Sequence, residues 1–482
     1  MKGMQTEGVE FSEHGVRVLH ILAKSFPELN GYSVRGYELI KSQKESGLAN
    51  PVVLTSPFYP DTDSMSEEIT AGGVRYLRSM PIKESEVGTL KMKILNLRGS
   101  RVVNSKNLAL PSNRKIPAYR KALSRMCRIL SYPFRITFAA IDERIRMGYL
   151  RERIIEVVRE YDTDIVHAHT PFKVGLPAMQ AAIESDKKFV YEVRGLWEES
   201  AVARGKFSRF GFRFWRFRMM ENKVLKGAEV VFCISEGVKR ELIGRGIDEG
   251  KITVIHNAAP KSFLSFAKED ADPIIDEMIM ESISELENIR SRRKIIGYAG
   301  NVQEYEGIET LVDSVREMVS EGEEVHLAIV SNEDDTRGVS NYCEEAGIGN
   351  YCTVIGPVPR EAIPRIYRCF YVNVIPRLIQ SKMARLVTPL KPLEALALGV
   401  PLIISDSPAI REIVSEDMVT FFDSGSSADL KKKIKFLMSN EGLRSSKVET
   451  GRKWVAQEAT WDHRARDTVE EYLKIIDTIS SN

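Results

Sequence analysis

What the sequence lacks excludes several classes of protein. Its five cysteines are scattered and no two of them form a CxxC pair, so neither a disulfide framework nor a zinc site is indicated. No apolar run approaches the roughly 20 residues that a membrane-spanning helix needs. The net charge is only +2, which gives no general reason to expect a nucleic acid partner.

Two further absences narrow the function. Acidic residues precede the first apolar run and no signal-peptide pattern is present, which together with the unpaired cysteines predicts a cytoplasmic protein. The turn after the first predicted strand is not a GxGxxG fingerprint, and this disfavours an NAD-dependent oxidoreductase. Asp-x-Asp pairs occur at 61–63 and 162–164, but both are interpreted as turn acids, so no metal is expected.

What is present is an alternation of short apolar, β-branched runs with helical stretches. Near-continuous apolar strands separated by helices are typical of parallel sheets covered on both faces. The alternation stops at an acidic helical stretch and then starts again, so we predict an α/β chain with two Rossmann-like domains facing each other. Strands are predicted at 16–23, 51–55, 164–169, 188–193, 228–235, 252–257, 294–300, 325–331, 352–356, 371–376 and 401–405.

Four segments follow from this alternation. Residues 1–265 are predicted to form an N-terminal domain, with a basic insert at 80–150. A linker or insert at 266–292 leads to a C-terminal domain at 293–457. A final amphipathic helix within 458–482 is expected to pack back on the N-terminal domain. A ligand would lie in the cleft, at the carboxyl ends of the strands.

Two basic stretches stand out in the N-terminal half. Residues 91–140 contain 12 lysines or arginines and no acid, and residues 206–220 mix four arginines with five phenylalanines and Trp215. One interpretation is a solvated basic helix with an aromatic stripe facing the core. The other is a surface that holds anionic lipid, with aromatic rings at headgroup level. Nucleic acid is less favoured, because no binding motif accompanies the charge.

The stretch LVTPLKPLEALALGVPLIISD (386–406) combines a proline-rich loop, a short helix and a strand. Pro392 fits the first turn of a helix, whose free N–H groups favour an anion such as a diphosphate. Thr388 and Lys391 add a hydroxyl and a cation at the same end. Glu394 can accept two hydrogen bonds from a ribose diol, or it can simply complement the helix dipole.

Other candidate site residues follow predicted strands. Gly31 and Tyr32 belong to a turn after the first strand, and Gly300 and Asn301 occupy the corresponding turn of the second domain. His169 and Arg194 lie at the ends of strands 164–169 and 188–193. A histidine there can donate to a sugar hydroxyl, although a structural histidine is the commoner case.

The chain resembles glycosyltransferase family 4, the retaining GT-B enzymes, from about residue 16 to residue 475. The resemblance rests on GYSVRGYELIKSQKESGLANPVVLTSP, VHAHTPFKVGLPA, YEVRGLWEES, YEGIETL and LVTPLKPLEALALGVPLIISD, and it is similar to the branch associated with surface glycans and exopolysaccharides. It implies a nucleotide-diphosphate sugar donor in the C-terminal domain, with a UDP-sugar favoured, and an acceptor in the N-terminal domain.

The resemblance also assigns residues, with two departures. Glu394 matches the second glutamate of the family's paired motif, which binds the donor ribose, whereas the first falls at Leu386. The arginine and lysine of the family's GRLxxxKG loop fall at Asn301 and Glu306. Other cations must then neutralise the diphosphate, and Lys391 and Arg377 are favoured. His169 matches the active-site histidine and Gly31 the N-terminal glycine loop.

These observations predict transfer of a sugar to a glycan or lipid-linked acceptor with retention of anomeric configuration. The basic stretches 91–140 and 206–220 would give peripheral contact with the anionic inner face of the membrane. The lost cations at Asn301 and Glu306 keep open a non-catalytic GT-B partner subunit that binds a nucleotide sugar. A nucleotide-sugar epimerase of the same two-domain shape is the other alternative.

Overall fold

The computed structural model describes residues 15–26, 31–58, 68–79, 140–266, 277–380 and 382–477. Two sheets organise them. The first has the strand order β3-β4-β2-β1-β5-β6-β7-β8, and the second β11-β10-β9-β12-β13-β14. The strands are β1 (Val16–Leu22), β2 (Ala49–Thr55), β3 (Glu68–Ala71), β4 (Val74–Arg78), β5 (Ile165–His169), β6 (Lys188–Val193), β7 (Val230–Cys233), β8 (Ile252–Val254), β9 (Lys294–Ala299), β10 (Val325–Val330), β11 (Cys352–Ile355), β12 (Val372–Ile375), β13 (Leu402–Ser405) and β14 (Thr420–Phe422).

The prediction of parallel α/β sheets is confirmed. Every neighbouring pair of strands is parallel except β3 with β4. The helices that cover the sheets are α1 (Gly31–Glu45), α2 (residues 140–160), α3 (Phe172–Glu184), α4 (Trp197–Ala203), α5 (Phe212–Gly227), α6 (Glu236–Gly244), α7 (Lys261–Ser265), α8 (Glu277–Arg290), α9 (Ile308–Ser320), α10 (Glu333–Glu345), α11 (Ile363–Cys369), α12 (Lys382–Leu386), α13 (Lys391–Ala397), α14 (Pro408–Arg411), α15 (Ser427–Ser439), α16 (Glu441–Glu458) and α17 (Trp461–Asp477).

The continuous apolar strands are explained by burial on both faces. In β13, Leu402 and Ile404 face one apolar cluster of the second sheet, whereas Ile403 faces the cluster on the other side. Strands β3, β4 and β14 were not predicted. The first two form a short hairpin whose β3 is at most half-buried, and β14 has only three residues, so none of them gives a long apolar run.

Two segments outside the alternation are packed against the sheets. Helix α17 lies on α1 and β1 of the first sheet and buries Trp461 and Tyr472. Helix α8, from the stretch predicted as a linker, contributes Ile283 and Leu286 to the second core. Residues 80–139 of the predicted basic insert, Asn30 and the pair Asp61 and Asp63 lie outside the described residues.

The sheets meet where the loop before α13 touches the first sheet. The Thr388 hydroxyl donates to the carbonyl of Ile234 at 3.1 Å, and the Asn257 amide donates to the carbonyl of Thr388 at 2.7 Å. Arg194 directly follows β6, Gly300 follows β9, and this seam lies close to both carboxyl ends. The fold therefore brings the predicted site residues to facing edges of the two sheets.

Candidate functional site

A buried glutamate organises the carboxyl edge of the first sheet. Glu192 on β6 is fully buried and accepts hydrogen bonds from Arg35 Nε at 2.7 Å and from Arg194 Nε at 2.9 Å. Burial alone would raise the pKa of Glu192, but the guanidinium groups of Arg194 and Arg35 hold it well below its usual range. We call Glu192, its two arginines and the three neighbouring histidines, His20, His167 and His169, the Glu192 cluster.

The predicted histidine His169 belongs to this cluster and is fully buried. Its Nδ1 lies 2.7 Å from Arg194 Nη2, and its Nε2 lies 3.1 Å from His20 Nδ1. Since a guanidinium only donates, His169 accepts at Nδ1 and carries its proton on Nε2. His20 then donates from Nε2 to the amide oxygen of Gln43 at 3.0 Å. Both ring nitrogens of His169 are therefore bound within the protein.

The hydrogen bonds continue to the C-terminal helix. Gln43 donates to the Thr468 hydroxyl at 3.0 Å, and Tyr472 lies 2.6 Å from His167 Nδ1. Burial, followed by the charge of Arg194, lowers the pKa of His169 to about 4, and burial lowers those of His20 and His167 as well. The three imidazoles are thus neutral at pH 7.

Within the described residues, His20, His167 and His169 form the one group that has the ligand chemistry of a metal site, with nitrogens within 4.8 Å of one another. Two guanidiniums against one carboxylate already leave the cluster positive, and a divalent cation would add to that charge in a buried place. The hydrogen bond between His20 and His169 also occupies two of the nitrogens. The arrangement fits a network that orients Arg194 better than it fits a metal site.

A second glutamate organises the carboxyl edge of the second sheet. Glu306 is 6% exposed, and its carboxylate lies 2.7 Å from Lys391 Nζ and 3.6 Å from Arg377 Nε. Tyr298 also contacts Lys391, with 2.6 Å between its hydroxyl and Nζ. Burial would raise the pKa of Glu306, but Lys391 and Arg377 hold it below its usual value. We call these four residues the Glu306 cluster.

Gly300 is required where Lys391 crosses the loop after β9. Its φ is +141°, and a Cβ there would lie 2.2 Å from Lys391 Cε. Asn301, the next residue, is exposed beside the lysine. The predicted residues Gly300, Asn301, Lys391 and Arg377 are therefore brought together, around an acid at the position that the family resemblance gives to a lysine.

Glu394 lies one turn further along α13 and is paired with a residue that sequence reasoning missed. Arg360 Nη1 lies 3.1 Å from Glu394 Oε1, and Arg360 Nε lies 3.1 Å from Glu38 on α1. This arginine links the two sheets across the cleft. No local pattern marks it, because its two partners are far from it along the chain.

The remaining predicted residues occupy three different environments. Gly31 begins α1, is exposed and has no atom within 4 Å of an added Cβ. Tyr32 donates to the carbonyl of Thr170 at 2.7 Å, and the Arg194 guanidinium lies 4.7 Å from its ring centre. Thr388 is 1% exposed and bonded to the first sheet, so it holds the seam rather than facing open space.

The Asp-x-Asp pair at 162–164 lies at the opposite, amino end of the first sheet. Asp164 accepts from Arg17 Nη2 at 2.6 Å, and Asp162 pairs with the same arginine. Asp162 has a φ of +45°, which suits a turn. These carboxylates are far from the two clusters, as the interpretation as turn acids requires.

Helix α5 carries the aromatic residues of the 206–220 stretch, and the structure divides them. Phe214 is buried, and Phe217 packs edge-on against Phe172. Phe210, Phe212, Trp215 and Met219 are 56% to 90% exposed, and we call these four the α5 patch. Of the described helices, none combines the length and apolar character that crossing a bilayer demands.

Comparisons with known proteins bear on both halves of the chain. A family model described as group 1 glycosyl transferases matches residues 280–454, and a model of glycosyltransferase family 4 matches residues 110–262. The Staphylococcus aureus capsular polysaccharide biosynthesis glycosyltransferase CapM is 26% identical over 294 residues, which are 60% of this chain and 71% of that protein.

Solved structures share the fold at low identity. Sucrose-phosphate synthase from Thermosynechococcus elongatus superposes with a TM-score of 0.66 at 15% identity, over 96% of this chain and all of that one. Anabaena HepE in complex with UDP gives 0.60 at 12% identity, over 97% of this chain and all of that one. The predicted arrangement of two facing Rossmann-like domains, GT-B, is confirmed.

Proposed function

Because this chain belongs to glycosyltransferase family 4, we propose that it moves a sugar from a nucleoside-diphosphate donor to a glycan or lipid-linked acceptor, with retention at the anomeric carbon. The observation that carries the proposal is the Glu306 cluster. Two cations, Lys391 and Arg377, share one carboxylate at the carboxyl edge of the second sheet. One positive charge is left over beside an open glycine loop, and this suits a diphosphate.

The side chains supply most of this charge. Helix α13 has only seven residues, so its dipole adds little to the field of two cations. The cations lie where the resemblance predicts a replacement for the arginine and lysine missing at Asn301 and Glu306. We favour a UDP-sugar as donor, and the complex of HepE with UDP is in keeping with this choice.

Glu394 is proposed to bind the donor ribose. Its Oε1 is paired with Arg360, which also contacts Glu38 on α1. A ribose diol that hydrogen-bonds to Glu394 would compete with this arginine. Donor binding is therefore coupled to a contact that joins the two sheets, which gives a physical route to domain closure and exclusion of water.

The proposed reaction proceeds on one face of the sugar. The bond between the anomeric carbon and the diphosphate oxygen breaks, and Lys391 and Arg377 stabilise the charge that develops on the leaving group. The acceptor hydroxyl forms the new bond from the same face, and its proton passes to the departing oxygen. His169 does not touch the substrate here, because it orients Arg194, whose remaining N–H groups lie beside Tyr32.

The proposal assigns charge neutralisation to side chains, so it requires no metal. Activity that survives extensive chelation with EDTA would be expected. Loss of activity on chelation that added magnesium restores would contradict this part of the proposal.

We further propose that the acceptor is used at the anionic inner face of a membrane. In the α5 patch, Phe212, Trp215 and Met219 lie on one face of the helix, and Lys223 and Lys226 extend it. Aromatic rings beside lysines suit the headgroup region of anionic lipid. A surface polysaccharide is the favoured product class, in line with the function named for CapM.

Co-sedimentation with anionic and with neutral vesicles tests this surface. The protein is expected to bind the anionic vesicles, and Trp215→Ser with Phe212→Ser is expected to abolish binding. Phe436→Ser, which changes a 48% exposed phenylalanine on the other sheet's α15, is the matched control. Equal and negligible binding of wild type to both vesicles would remove the membrane proposal.

Thermal stabilisation by UDP, GDP, ADP and CMP tests the donor. One nucleoside diphosphate should raise the melting temperature of wild type, and the effect should be lost in Glu394→Ala. A partner subunit without catalytic activity would show the same stabilisation but neither hydrolyse nor transfer the sugar. No stabilisation by any nucleotide would overturn the proposed function.

A further inference from the structure

We propose that Glu306 is a positioning residue that holds the ammonium of Lys391 and the guanidinium of Arg377 together as one anion-binding unit. The inference rests on the proposed function and concerns the same site. An acid in a diphosphate site is unexpected, since it repels the ligand. Its contacts show what it offers in return.

Glu306 is held by backbone against the segment that carries Arg377. The N–H of Leu378 donates to the carbonyl of Tyr305 at 2.7 Å. Gly307 has a φ of +68°, and a Cβ there would come within 2.2 Å of the carbonyl of Pro376. The turn at Glu304–Glu306 and the segment 376–378 therefore form one rigid block, and the carboxylate points from it toward Lys391.

Lys391 reaches this block from the start of α13 and has few other anchors. Its Nζ contacts Glu306 at 2.7 Å and the Tyr298 hydroxyl at 2.6 Å, and lies 4.4 Å from the centre of the Tyr298 ring. Among these neighbours Glu306 alone is negative. Without it, a flexible lysine chain would have no charged partner to fix its direction.

The charge of Lys391 also depends on Glu306. The groups that face its ammonium are Glu306 from the turn, Tyr298 from β9, Arg377 from the segment after β12 and Glu394 from its own helix. Burial lowers the pKa of Lys391, Arg377 acts in the same direction, and Glu306 is the largest opposing influence. Removing that carboxylate leaves a buried lysine beside an arginine, which favours the neutral amine.

The carboxylate thus exchanges some repulsion of the ligand for a lysine that is charged and correctly placed. Since Arg377 remains cationic at any accessible pH, the effect of losing Glu306 should appear through Lys391 alone. This predicts a pH-dependent defect rather than a uniform one. A residue that only stabilised the fold would produce a uniform loss.

The test is calorimetric titration of UDP, GDP and ADP into wild type and Glu306→Gln, from about pH 7 to about pH 9.5. The ratio of the variant Kd to the wild-type Kd is expected to rise about tenfold or more across this range, as the buried lysine of the variant loses its proton. The double variant Glu306→Gln with Lys391→Arg should abolish the rise, because a guanidinium keeps its charge. Tyr298→Phe, which removes a neutral contact of the same lysine, should leave the ratio flat.

Two outcomes would overturn the inference, and they are distinguishable. If wild type binds the nucleotides but the ratio for Glu306→Gln stays constant with pH, Glu306 has only a structural role. If wild type binds none of the three diphosphates, the proposed donor site fails and this inference fails with it. Thermal unfolding of each variant at both ends of the pH range checks that all of them remain folded.

Discussion

The two sheets each present a buried glutamate held by two cations, yet the clusters differ in kind. In the Glu192 cluster both cations are arginines, all side chains are at most 4% exposed, and neutral histidines fill the remaining contacts. In the Glu306 cluster one cation is a lysine, and its side chain is 17% exposed beside the Gly300 loop. A permanently charged, closed network suits a scaffold, whereas a half-open pair with one titratable cation suits a ligand site.

The largest expected effect breaks the first cluster. Glu192→Gln removes the carboxylate that neutralises two buried guanidiniums, so we expect the free energy of unfolding to fall by about 3–5 kcal/mol. Glu306→Gln is the matched control, since its cations are nearer to solvent, and it should cost roughly half as much or less. Urea unfolding of both variants measures the difference. Equal losses would contradict the distinction between scaffold and site.

The second prediction breaks the other cluster. Lys391→Ala is expected to lower turnover by about 100-fold or more, because the leaving diphosphate loses a preorganised cation. Its fold should be nearly intact, since the side chain is partly exposed. Steady-state kinetics with the donor identified by thermal stabilisation measure this. Lys382→Ala, which removes a lysine paired with Glu241 and Glu199, is the control expected to keep turnover.

The third prediction uses the titration of the Glu192 cluster. The histidines have folded pKa values below 6.5, so between pH 6.5 and about 4 the unfolded chain binds more protons than the folded one. Stability should be complete above pH 6.5 and fall as the pH drops, by roughly 3 kcal/mol from His169 alone. Urea unfolding at several pH values measures the slope.

A variant sharpens that result. His169→Asn keeps an acceptor for Arg194 but does not titrate, so stability should depend less steeply on pH below 6.5. His463→Gln, on α17 and bonded to Thr460 instead, should keep the wild-type slope. The same steep slope in both variants would remove His169 as the source.

The fourth prediction concerns Glu394. Glu394→Ala is expected to weaken donor binding by about tenfold or more, through loss of hydrogen bonds to a charged acceptor. Calorimetry with the donor nucleotide measures this. Glu38→Ala, which removes the other partner of Arg360, should weaken binding less, because Glu38 has no proposed contact with the donor.

The smallest expected effect lies at the end of the histidine network. Tyr472→Phe removes the hydroxyl that contacts His167 Nδ1 at 2.6 Å, and about 1–2 kcal/mol of stability should be lost. Turnover should change little, because His167 does not contact Arg194. Thermal unfolding together with kinetics checks both statements, and a large loss of turnover with unchanged stability would contradict them.

Most of the fold could be predicted from local pattern. The eleven predicted runs overlap strands because parallel strands buried on both faces must be apolar throughout. The hairpin β3–β4 and the strand β14 could not be found, since short or half-exposed strands have no such run. The prediction of α17 succeeded because an amphipathic helix keeps its 3.6-residue period whatever it packs against.

The candidate site was only partly predictable. Lys391, Arg377 and Gly300 could be proposed from their places after predicted strands, and the fold does bring them together. Glu306 was noted only as a departure from the family pattern, and its partnership with Lys391 spans 85 residues. His169 was expected at the cleft, but its surroundings turn both ring nitrogens inward.

By itself, the sequence determined the elements, the parallel sheets and the edge at which a ligand site would form, because these follow from local periodicity and from what succeeds each strand. Only the tertiary structure decided which charges are neighbours. Arg360 pairs with Glu38 across 322 residues, and Arg35 pairs with Glu192 across 157. Electrostatic partnership depends on distance in space and on exclusion of water, and neither quantity is written in the local order of residues.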